Sequence, residues 1–396
     1  MDDPRVRHWA ASGAMALTGL PETPLGPPAG LVEGVEDLAL PFAGLEPLAL
    51  LGERAAHMGL WRRGTTSCGG SCRLLVSGEN SVAVSLARDE DFEAVPAWLE
   101  LDHKPANAPA AWAAVTEAAA TRDLDELVAR AALLGLPVAR VAEVAEDAEQ
   151  SAVSRIPLGP APGRDPAGAI VIDLSALWAG PLCGDLLAGA GATVIKVESP
   201  GRPDGARRGP AAFFDLLNGR KRSVALDFGH AEGVETLRAL IRRADVVIEA
   251  SRPRALEQLG IYAVDEVDGG GPQVWVSITG YGRTDPRARV AFGDDAAAGG
   301  GLVVWHEGVA MFCADAIADP ITGLAAANAC LDALASGGRW LLDVSMAGVC
   351  AAFAGPTLPV SPDVAVVPPR SRTVERAASE LGADTARVLT ELGLRT

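Results

Sequence analysis

Residues 169–199, AIVIDLSALWAGPLCGDLLAGAGATVIKVES, determine the predicted fold. AIVIDLS is an apolar run typical of a buried strand, and GPLCGDLLAGAGA (180–192) predicts a helix whose small residues allow close packing. TVIKVES (193–199) predicts the next strand. Helical patterns separate three further apolar runs, which are SVALDF (223–228), ADVVIEA (244–250) and QVWVSITG (273–280). This alternation predicts an α/β fold with a Rossmann-like parallel sheet and helices on its faces.

The chain before this alternation predicts a smaller α+β unit. Residues 72–88 predict two strands about a turn, and residues 109–135 predict a helical region with a short break. The Pro- and Gly-rich stretch PLGPAPGRDPA (157–167) is the clearest linker. We therefore expect three parts, which are a small N-terminal domain (1–160), a sheet domain (168–355), and a Pro-rich linker with a terminal helix (356–396).

The formal net charge of −17 argues against nucleic acid as a partner, because binding a phosphate backbone requires a basic face. Basic residues are nevertheless concentrated in the loops after the second predicted strand, at the sheet edge where ligands of such folds bind. This cluster comprises Arg202, Arg207, Arg208, Arg220, Lys221 and Arg222. It predicts a local site for an anionic small molecule.

The sequence predicts neither a membrane segment nor a metal centre. The opening MDDPRVRHWAASG lacks the apolar core of a signal peptide, and no apolar run approaches the roughly 20 residues that span a bilayer. The six cysteines are scattered, and the close pair Cys68 and Cys72 has no second pair to complete a metal site. These features predict a cytoplasmic protein with reduced thiols.

Two short stretches recur in the same order along the chain. HWAASGAMALTG (8–19) is similar to DDAAAGGGLVVW (294–305), and GGSCRLLVS (69–77) is similar to GGRWLLDVS (337–345). Because the two pairs are collinear, we expect the first 80 residues to echo a later part of the chain.

Asp319 begins a helical pattern, and two interpretations of it stay open at this point. An Asp-Pro pair is a typical helix N-cap followed by proline at the first helical position. A carboxylate also suits nucleophilic catalysis of acyl transfer. The local sequence alone favours the cap, because caps are far commoner than nucleophiles.

Four ordered motifs carry a resemblance to a known family. They are VIDLSALWAGPLCGDLLAGAGATVIKVESPGRPDGAR (171–207), LNGRKRSVALDF (217–228), ADVVIEASRPRALEQLGI (244–261) and VSITGYGRTDP (276–286). Together they resemble the CoA-binding half of the family III CoA-transferases, which include formyl-CoA and carnitine CoA-transferases and α-methylacyl-CoA racemases. DAIADPITGLAAANACLDAL (315–334) resembles the segment with the family's nucleophilic aspartate, and Asp319 takes the D-x-x-T-G position.

The resemblance implies an activity and a ligand. A CoA-transferase moves CoA from an acyl-CoA donor to a small carboxylic acid, here through an aspartyl intermediate on Asp319. CoA and acyl-CoA are then substrates, and no metal is implied. By the same resemblance, contacts to the nucleotide end of CoA are expected from Arg207, Lys221, Arg222, Arg252 and Lys196.

Two alternatives to transfer stay open. Racemases of the family use a His-Asp pair with the histidine in a G-H-D motif, whereas this chain has Gly293-Asp294-Asp295. The missing histidine disfavours an acyl-CoA racemase or isomerase, because α-proton transfer needs a base on each face of the substrate. A degenerate, non-catalytic CoA-binding protein is the other alternative.

The order of the motifs along the chain differs from that of the family. The pattern that normally opens the family's sequences begins here at residue 169, and residues 8–19 and 69–155 resemble the family's second half. We therefore expect a rearranged domain order. Family members form interlocked dimers, and the resemblance implies a homodimer here.

Overall fold

The computed structural model describes residues 3–78, 80–144, 152–252, 254–268 and 270–394. Its strands are β1 (Cys72–Ser77), β2 (Asn80–Ser85), β3 (Val138–Arg140), β4 (Val153–Gly159), β5 (Ile170–Asp173), β6 (Thr193–Glu198), β7 (Arg222–Ala225), β8 (Val246–Glu249), β9 (Val274–Thr279), β10 (Val303–His306), β11 (Val309–Phe312) and β12 (Arg339–Ser345). Its helices are α1 (Pro4–Ser12), α2 (Leu31–Ala39), α3 (Pro47–Leu50), α4 (Glu53–Met58), α5 (Asp89–Leu99), α6 (Ala108–Thr121), α7 (Leu124–Leu134), α8 (Ala179–Gly189), α9 (Ala211–Asn218), α10 (Ala231–Arg243), α11 (Arg254–Glu257), α12 (Ala263–Asp268), α13 (Gly293–Gly299), α14 (Ala318–Ser336), α15 (Met346–Ala351) and α16 (Thr385–Glu391). Among the helices of these ranges, none has the length and apolar character needed to cross a bilayer.

The described strands form one large sheet and two small ones. The large sheet has seven strands in the order β4-β12-β9-β8-β5-β6-β7. Its neighbours are parallel except β4, which lies antiparallel to β12 at one edge. The strands β1, β2 and β3 form a small antiparallel sheet, and β10 and β11 form a hairpin. The predicted α/β fold, with a parallel sheet and a smaller α+β part, is confirmed.

Alternation within β5 explains why helices cover both faces of the large sheet. Val171 packs in one core with Leu182 of α8. Ile172, the next residue, packs in another core with Leu237 of α10. Successive side chains of a strand point to opposite faces, so one apolar strand requires cover on both sides.

Helices α8 and α14 lie against each other through small residues. A Cβ at Gly323 would lie 2.6 Å from the carbonyl oxygen of Ala179, so a glycine is needed for this approach. The small residues of 180–192 predicted such packing. The approach places the start of α8 beside the first turns of α14.

The predicted linker was wrong at its first residues. Strand β4 extends through Gly159, and Pro157 lies opposite Trp340 of β12. Proline is compatible with β4 because an edge strand leaves one row of N–H groups unpaired. Residues 160–167 contain neither helix nor strand, as the composition predicted.

The N-terminal region contributes to two different cores. Trp9 and Leu31 belong to the core that also contains residues of α8 and α14. Trp98 and Trp112 belong to a second core, formed by the small sheet and helices α5 to α7. Helices α1 to α3 therefore pack as part of the sheet domain, whereas the segment from β1 to β3 forms the small α+β unit. The boundary at residue 160 stays a prediction.

The segment 356–383 crosses the surface between α15 and α16 without regular structure. Arg372 anchors it, with nitrogens 2.6 Å from Glu53 of α4 and 2.8 Å from Asp185 of α8. The segment therefore ties the N-terminal helices to the sheet domain. The predicted terminal helix is present as α16.

Candidate active site

Asp319 is the second residue of α14, which begins at Ala318. Ile317 occupies the N-cap position, and the helix has no side-chain cap. The interpretation of Asp319 as a helix cap is therefore wrong. The preceding turn holds Ala314 and Ala316 at φ values of 55° and 44°. Residues other than glycine seldom adopt these angles, and such strain is concentrated at functional sites.

The Asp319 side chain lies where three helices begin. The backbone N–H of Ala179, the first residue of α8, donates a hydrogen bond to the Asp319 carboxylate. Gly293, the first residue of α13, packs against it so closely that a Cβ there would lie 2.3 Å from Oδ2 of Asp319. As a whole residue, Asp319 is half-buried. Helix N-termini favour negative charge, so this position stabilises the ionised carboxylate.

Arg54 of α4 brings a positive charge to this site. Its Nε and Nη2 donate hydrogen bonds to Asp315 at 2.9 and 2.6 Å. Its guanidinium carbon lies 5.4 Å from the centre of the Trp178 ring, next to Ala179 in the chain. Sequence reasoning missed Arg54, because α4 carries no motif and Asp315 lies 261 residues away.

Burial and neighbouring charges set the ionisation of the site. Burial raises the pKa of Asp319 to about 7; Arg54 opposes this rise, and the negative charge of Asp294 adds to it. Burial also raises the pKa of Asp294 to about 6, again opposed by Arg54. Two neighbouring carboxyl groups therefore change charge close to neutral pH.

Asp294 stands at the position that the resemblance assigns to the histidine of racemases. The sequence pattern indicated only that histidine is absent there. In the structure, Oδ1 of Asp294 accepts a hydrogen bond from the N–H of Ala316 at 3.1 Å, in the turn before α14. The Gly293-Asp294-Asp295 motif thus supplies a second titratable carboxyl to the site of Asp319, and such a pair can accept and return a proton.

Two of the predicted CoA contacts, Lys196 and Lys221, are buried and paired with carboxylates. Nζ of Lys221 lies 2.8 Å from Asp173, and Nζ of Lys196 lies 2.9 Å from Asp204. A buried charge requires a partner, and each lysine has one within the fold. Their contact with CoA stays a prediction.

The predicted contacts Arg207 and Arg222 are also paired within the chain. Arg207 lies 2.6 Å from Glu198 of β6, and Arg222 forms an ion pair with Glu391 of α16. Carboxylates thus balance the charges of Arg207, Lys221 and Arg222 within the sequence cluster. A role in CoA binding stays a prediction for both.

Arg252, the remaining predicted contact, lies in a patch of arginines. Partial burial, followed by the charges of Arg254, Arg88 and Arg202, lowers its pKa. Within the described part of the chain, no carboxylate forms an ion pair with Arg202, Arg252 or Arg254. Unbalanced like charges of this kind favour a multiply charged anion. We call Arg88, Arg202, Arg252 and Arg254 the arginine patch; of these four, Arg88 is paired with Asp91 at 2.5 Å.

The arginine patch is connected to Asp319 through the start of α13. The guanidinium of Arg88 lies 5.4 Å from the ring centre of Phe292, which is the N-cap of α13. The next residue, Gly293, packs against the Asp319 carboxyl. The geometry therefore suits a ligand that is anionic at one end and reactive at the other.

The cysteines take no part in these contacts. All six are free and buried. Within the ranges given above, no three or more His, Cys, Asp or Glu side chains are grouped so that they could hold a metal ion.

Comparisons with known proteins identify the family of this chain. Residues 167–381, more than half of the chain, match CoA-transferase family III. Succinyl-CoA--D-citramalate CoA-transferase of Chloroflexus aurantiacus is 36% identical over 141 residues, which cover 33% of this chain and 35% of that protein. Formyl-CoA:oxalate CoA-transferase of Escherichia coli is 33% identical over 169 residues, which cover 40% of each chain. A CaiB/BaiF family protein from Brucella suis has a TM-score of 0.43 and 32% identity, covering 48% of this chain and 55% of that one.

The chain belongs to CoA-transferase family III. The matches to the two curated relatives span two fifths or less of the length of those proteins. The family match lies on the sheet domain and the segment that follows it, and it leaves residues 1–166 outside.

We predict that Asp319→Asn stabilises the fold more at pH 8 than at pH 5. The pKa of Asp319 is raised from 3.8 to about 7 in the folded protein. Between these two pH values, Asp319 keeps its proton in the folded state but has lost it in the unfolded state. Ionisation of Asp319 at higher pH therefore lowers the stability of the fold, and asparagine, which does not ionise, removes this loss. We expect the free energy of unfolding to rise by on the order of 1–2 kcal/mol at pH 8, measured by urea denaturation. An equal gain at both pH values, or a loss at pH 8, would contradict the raised pKa.

Proposed function

We propose that this chain is a CoA-transferase that moves CoA from an acyl-CoA donor to a small carboxylic acid through an intermediate on Asp319. The observation that carries the proposal is the carboxyl of the half-buried residue Asp319, which accepts a hydrogen bond from Ala179 and has a pKa of about 7. The relatives whose names pair succinyl-CoA with D-citramalate and formyl-CoA with oxalate support this type of reaction.

The donor half-reaction begins with attack by an Asp319 carboxylate oxygen on the thioester carbon of the acyl-CoA. A C–O bond forms, the C–S bond breaks, and CoA leaves as a thiolate, which gives a mixed anhydride. The thiolate then attacks the carbonyl carbon of Asp319, which releases the donor acid and leaves CoA on Asp319 as a thioester. The acceptor acid reverses these steps and regenerates the Asp319 carboxylate.

The start of α8 is suited to stabilise the charged intermediates. The N–H of Ala179 already donates to the Asp319 carboxylate, so it is placed for the oxyanion that develops on the same group. The positive end of the α8 dipole acts in the same direction. Burial of the surrounding side chains restricts water, which would hydrolyse the anhydride or the thioester.

The arginine patch is the proposed site for the phosphates of CoA. Arg252 has the support of the resemblance and of the nearby charges of Arg202 and Arg254, with which no described carboxylate forms an ion pair. Arg207, Arg222, Lys196 and Lys221 keep their place in the proposed site through the resemblance alone, since carboxylates balance their charges in the structure. We place CoA with its nucleotide at the patch and its thioester at Asp319.

An acyl-CoA racemase or isomerase is a second candidate, and one specific observation favours it. Asp294 contributes a carboxyl with a pKa of about 6 to the site of Asp319, where the pKa is about 7. Two carboxyls of this kind provide the base and the acid that α-proton transfer requires. Deuterium uptake at the α-carbon of a 2-methylacyl-CoA in heavy water, abolished by Asp294→Asn, would favour this candidate over transfer.

We further propose that the protein is a homodimer in the cytoplasm. The buried free thiols support a reducing compartment. The homodimer is supported by the resemblance to the family, whose members form interlocked dimers. Size-exclusion chromatography with light scattering tests the dimer, and a monomer mass would contradict it.

We predict that an acyl-CoA donor modifies the protein at Asp319. Succinyl-CoA and formyl-CoA are suitable first donors, and hydroxylamine converts the anhydride or thioester into a stable hydroxamate for mass spectrometry. The modification should map to the peptide that contains Asp319 and be lost in Asp319→Asn. Because the carboxylate is the nucleophile and its pKa is about 7, the initial rate should rise about tenfold from pH 6 to pH 8.

CoA that binds without any modification, across a panel of donors, would instead indicate a non-catalytic CoA-binding protein. Modification that maps to another residue would remove Asp319 from the proposed role.

We predict that Arg252→Glu weakens CoA binding by about 10- to 100-fold, because one charge-assisted contact to phosphate is replaced by repulsion. Isothermal titration at two salt concentrations measures the loss and the smaller salt dependence that should accompany it. Arg376→Glu, which alters an exposed arginine of the segment 356–383, is the matched control. An affinity of Arg252→Glu within twofold of this control would remove Arg252 from the site.

A further inference from the structure

Arg54 uses one edge of its guanidinium and leaves the other available. Its Nε and Nη2 bind the two carboxylate oxygens of Asp315. No described residue accepts a hydrogen bond from Nη1. The side chain is 28% exposed, whereas that of Asp315 is 0% exposed, so the pair is open to solvent on the arginine side. A guanidinium carries five N–H donors in a rigid fork, and its second edge can bind another carboxylate.

The surroundings hold the Arg54 guanidinium near the proposed nucleophile. Arg54 is the cation that most strongly opposes the rise in the pKa of Asp319. The ring of Trp178 lies 5.4 Å from the guanidinium carbon, and Trp178 immediately precedes Ala179. Glu53, the neighbour of Arg54 in α4, is fully buried and bound by Arg372 at 2.6 Å, which holds the helix in place. The guanidinium is thus restrained by contacts on several sides.

We propose that Arg54 binds the carboxylate of the acceptor acid and holds it beside Asp319; this inference rests on the proposed CoA-transferase function. The site contains the carboxyls of Asp294 and Asp315, which repel an incoming anion. Asp319 loses its own charge when CoA is attached as a thioester. Arg54 then supplies the attraction that an anionic acceptor needs, and its planar fork orients the carboxylate.

The bound acceptor is then positioned for the second half-reaction. One carboxylate oxygen attacks the thioester carbon on Asp319, a C–O bond forms, and the C–S bond breaks with release of the CoA thiolate. The thiolate attacks the acyl carbon of the acceptor, and the electron pair of the broken C–O bond returns to Asp319 as its carboxylate.

This role assigns acceptor recognition to the N-terminal part of the chain. Arg54 lies outside residues 167–381, which match the family. The sheet domain would then provide the nucleophile and the CoA site, while α4 provides the contact that selects an anionic acceptor. Uncharged nucleophiles of similar size are expected to be poor acceptors for the same reason.

The test separates the two half-reactions. Arg54→Lys keeps the positive charge that acts on Asp319 but loses the fork. We expect this variant to form the hydroxylamine-sensitive adduct from donor alone within about threefold of the wild-type rate. Its KM for the acceptor, measured with oxalate and with D-citramalate, should rise about 10- to 100-fold. Arg63→Lys, an exposed arginine of the same N-terminal region, is the matched control and should change neither value.

A second variant distinguishes loss of the guanidinium from misfolding. Arg54→Gly should lose acceptor turnover and regain part of it with methylguanidinium, which restores the missing fork, but not with methylammonium. Thermal melting checks that both variants are folded.

The outcomes distinguish this inference from the function on which it rests. Absence of an adduct in the wild-type protein with every donor would overturn both. The role of Arg54 alone would be overturned if the wild type forms the adduct and turns over normally but Arg54→Lys has an unchanged KM for the acceptor. It would also be overturned if Arg54→Lys slows both half-reactions equally.

Discussion

Three helices begin around the carboxyl of Asp319, and the site depends on this constraint. The helix α14 carries Asp319, the first N–H of α8 binds it, and Gly293 at the start of α13 packs against it. The arrangement follows from the close packing of α8 and α14, which Gly323 permits. Because each helix is fixed by the core of the large sheet, the carboxyl is held in place by the fold and not by a mobile loop.

The electrostatics of the site reflect a balance between burial and charge. Burial disfavours the ionised form of Asp319 and Asp294, whereas Arg54 favours it. The result is a pair of carboxyls that ionise near neutral pH, unlike ordinary surface aspartates. Such a site reduces the stability of the fold above neutral pH. This cost is typical of sites in which reactivity, not stability, determines the choice of residues.

The sequence predicted the architecture well because local patterns determine it. The apolar runs, the small residues of 180–192 and the motif around Asp319 all act within short stretches of chain. The predicted linker failed at 157–159 because pairing with β12, a distant strand, overrides the preference of a Pro- and Gly-rich segment for loops. The cap interpretation of Asp319 failed because the strained turn before α14 starts the helix at Ala318, two residues earlier than a cap at Asp319 requires.

The sequence could not predict the contacts that Arg54, Ala179 and the two buried lysines make, because the partners are separated from them along the chain or a backbone group makes the contact. Arg54 meets Asp315 across 261 residues, and nothing in α4 marks it. Ala179 contributes its backbone N–H, and such a donor cannot be predicted from the identity of a side chain. For Lys196 and Lys221, the positive charge is visible in the sequence, but the carboxylates that balance it are not. Ion pairing therefore distinguishes Arg202, Arg252 and Arg254 from the predicted contacts whose charges carboxylates already balance.

The central claim is that the Asp319 carboxyl forms a covalent bond with both substrates in turn. Turnover with an acceptor acid labelled with ¹⁸O in both carboxylate oxygens tests this claim most directly. If Asp319 is the nucleophile, one labelled oxygen passes from the acceptor to Asp319 in each cycle, so that the peptide containing Asp319 gains ¹⁸O only when donor acyl-CoA is present. Product formation with no label in that peptide would show that the acyl groups never pass through Asp319, and it would contradict the proposed role of this residue.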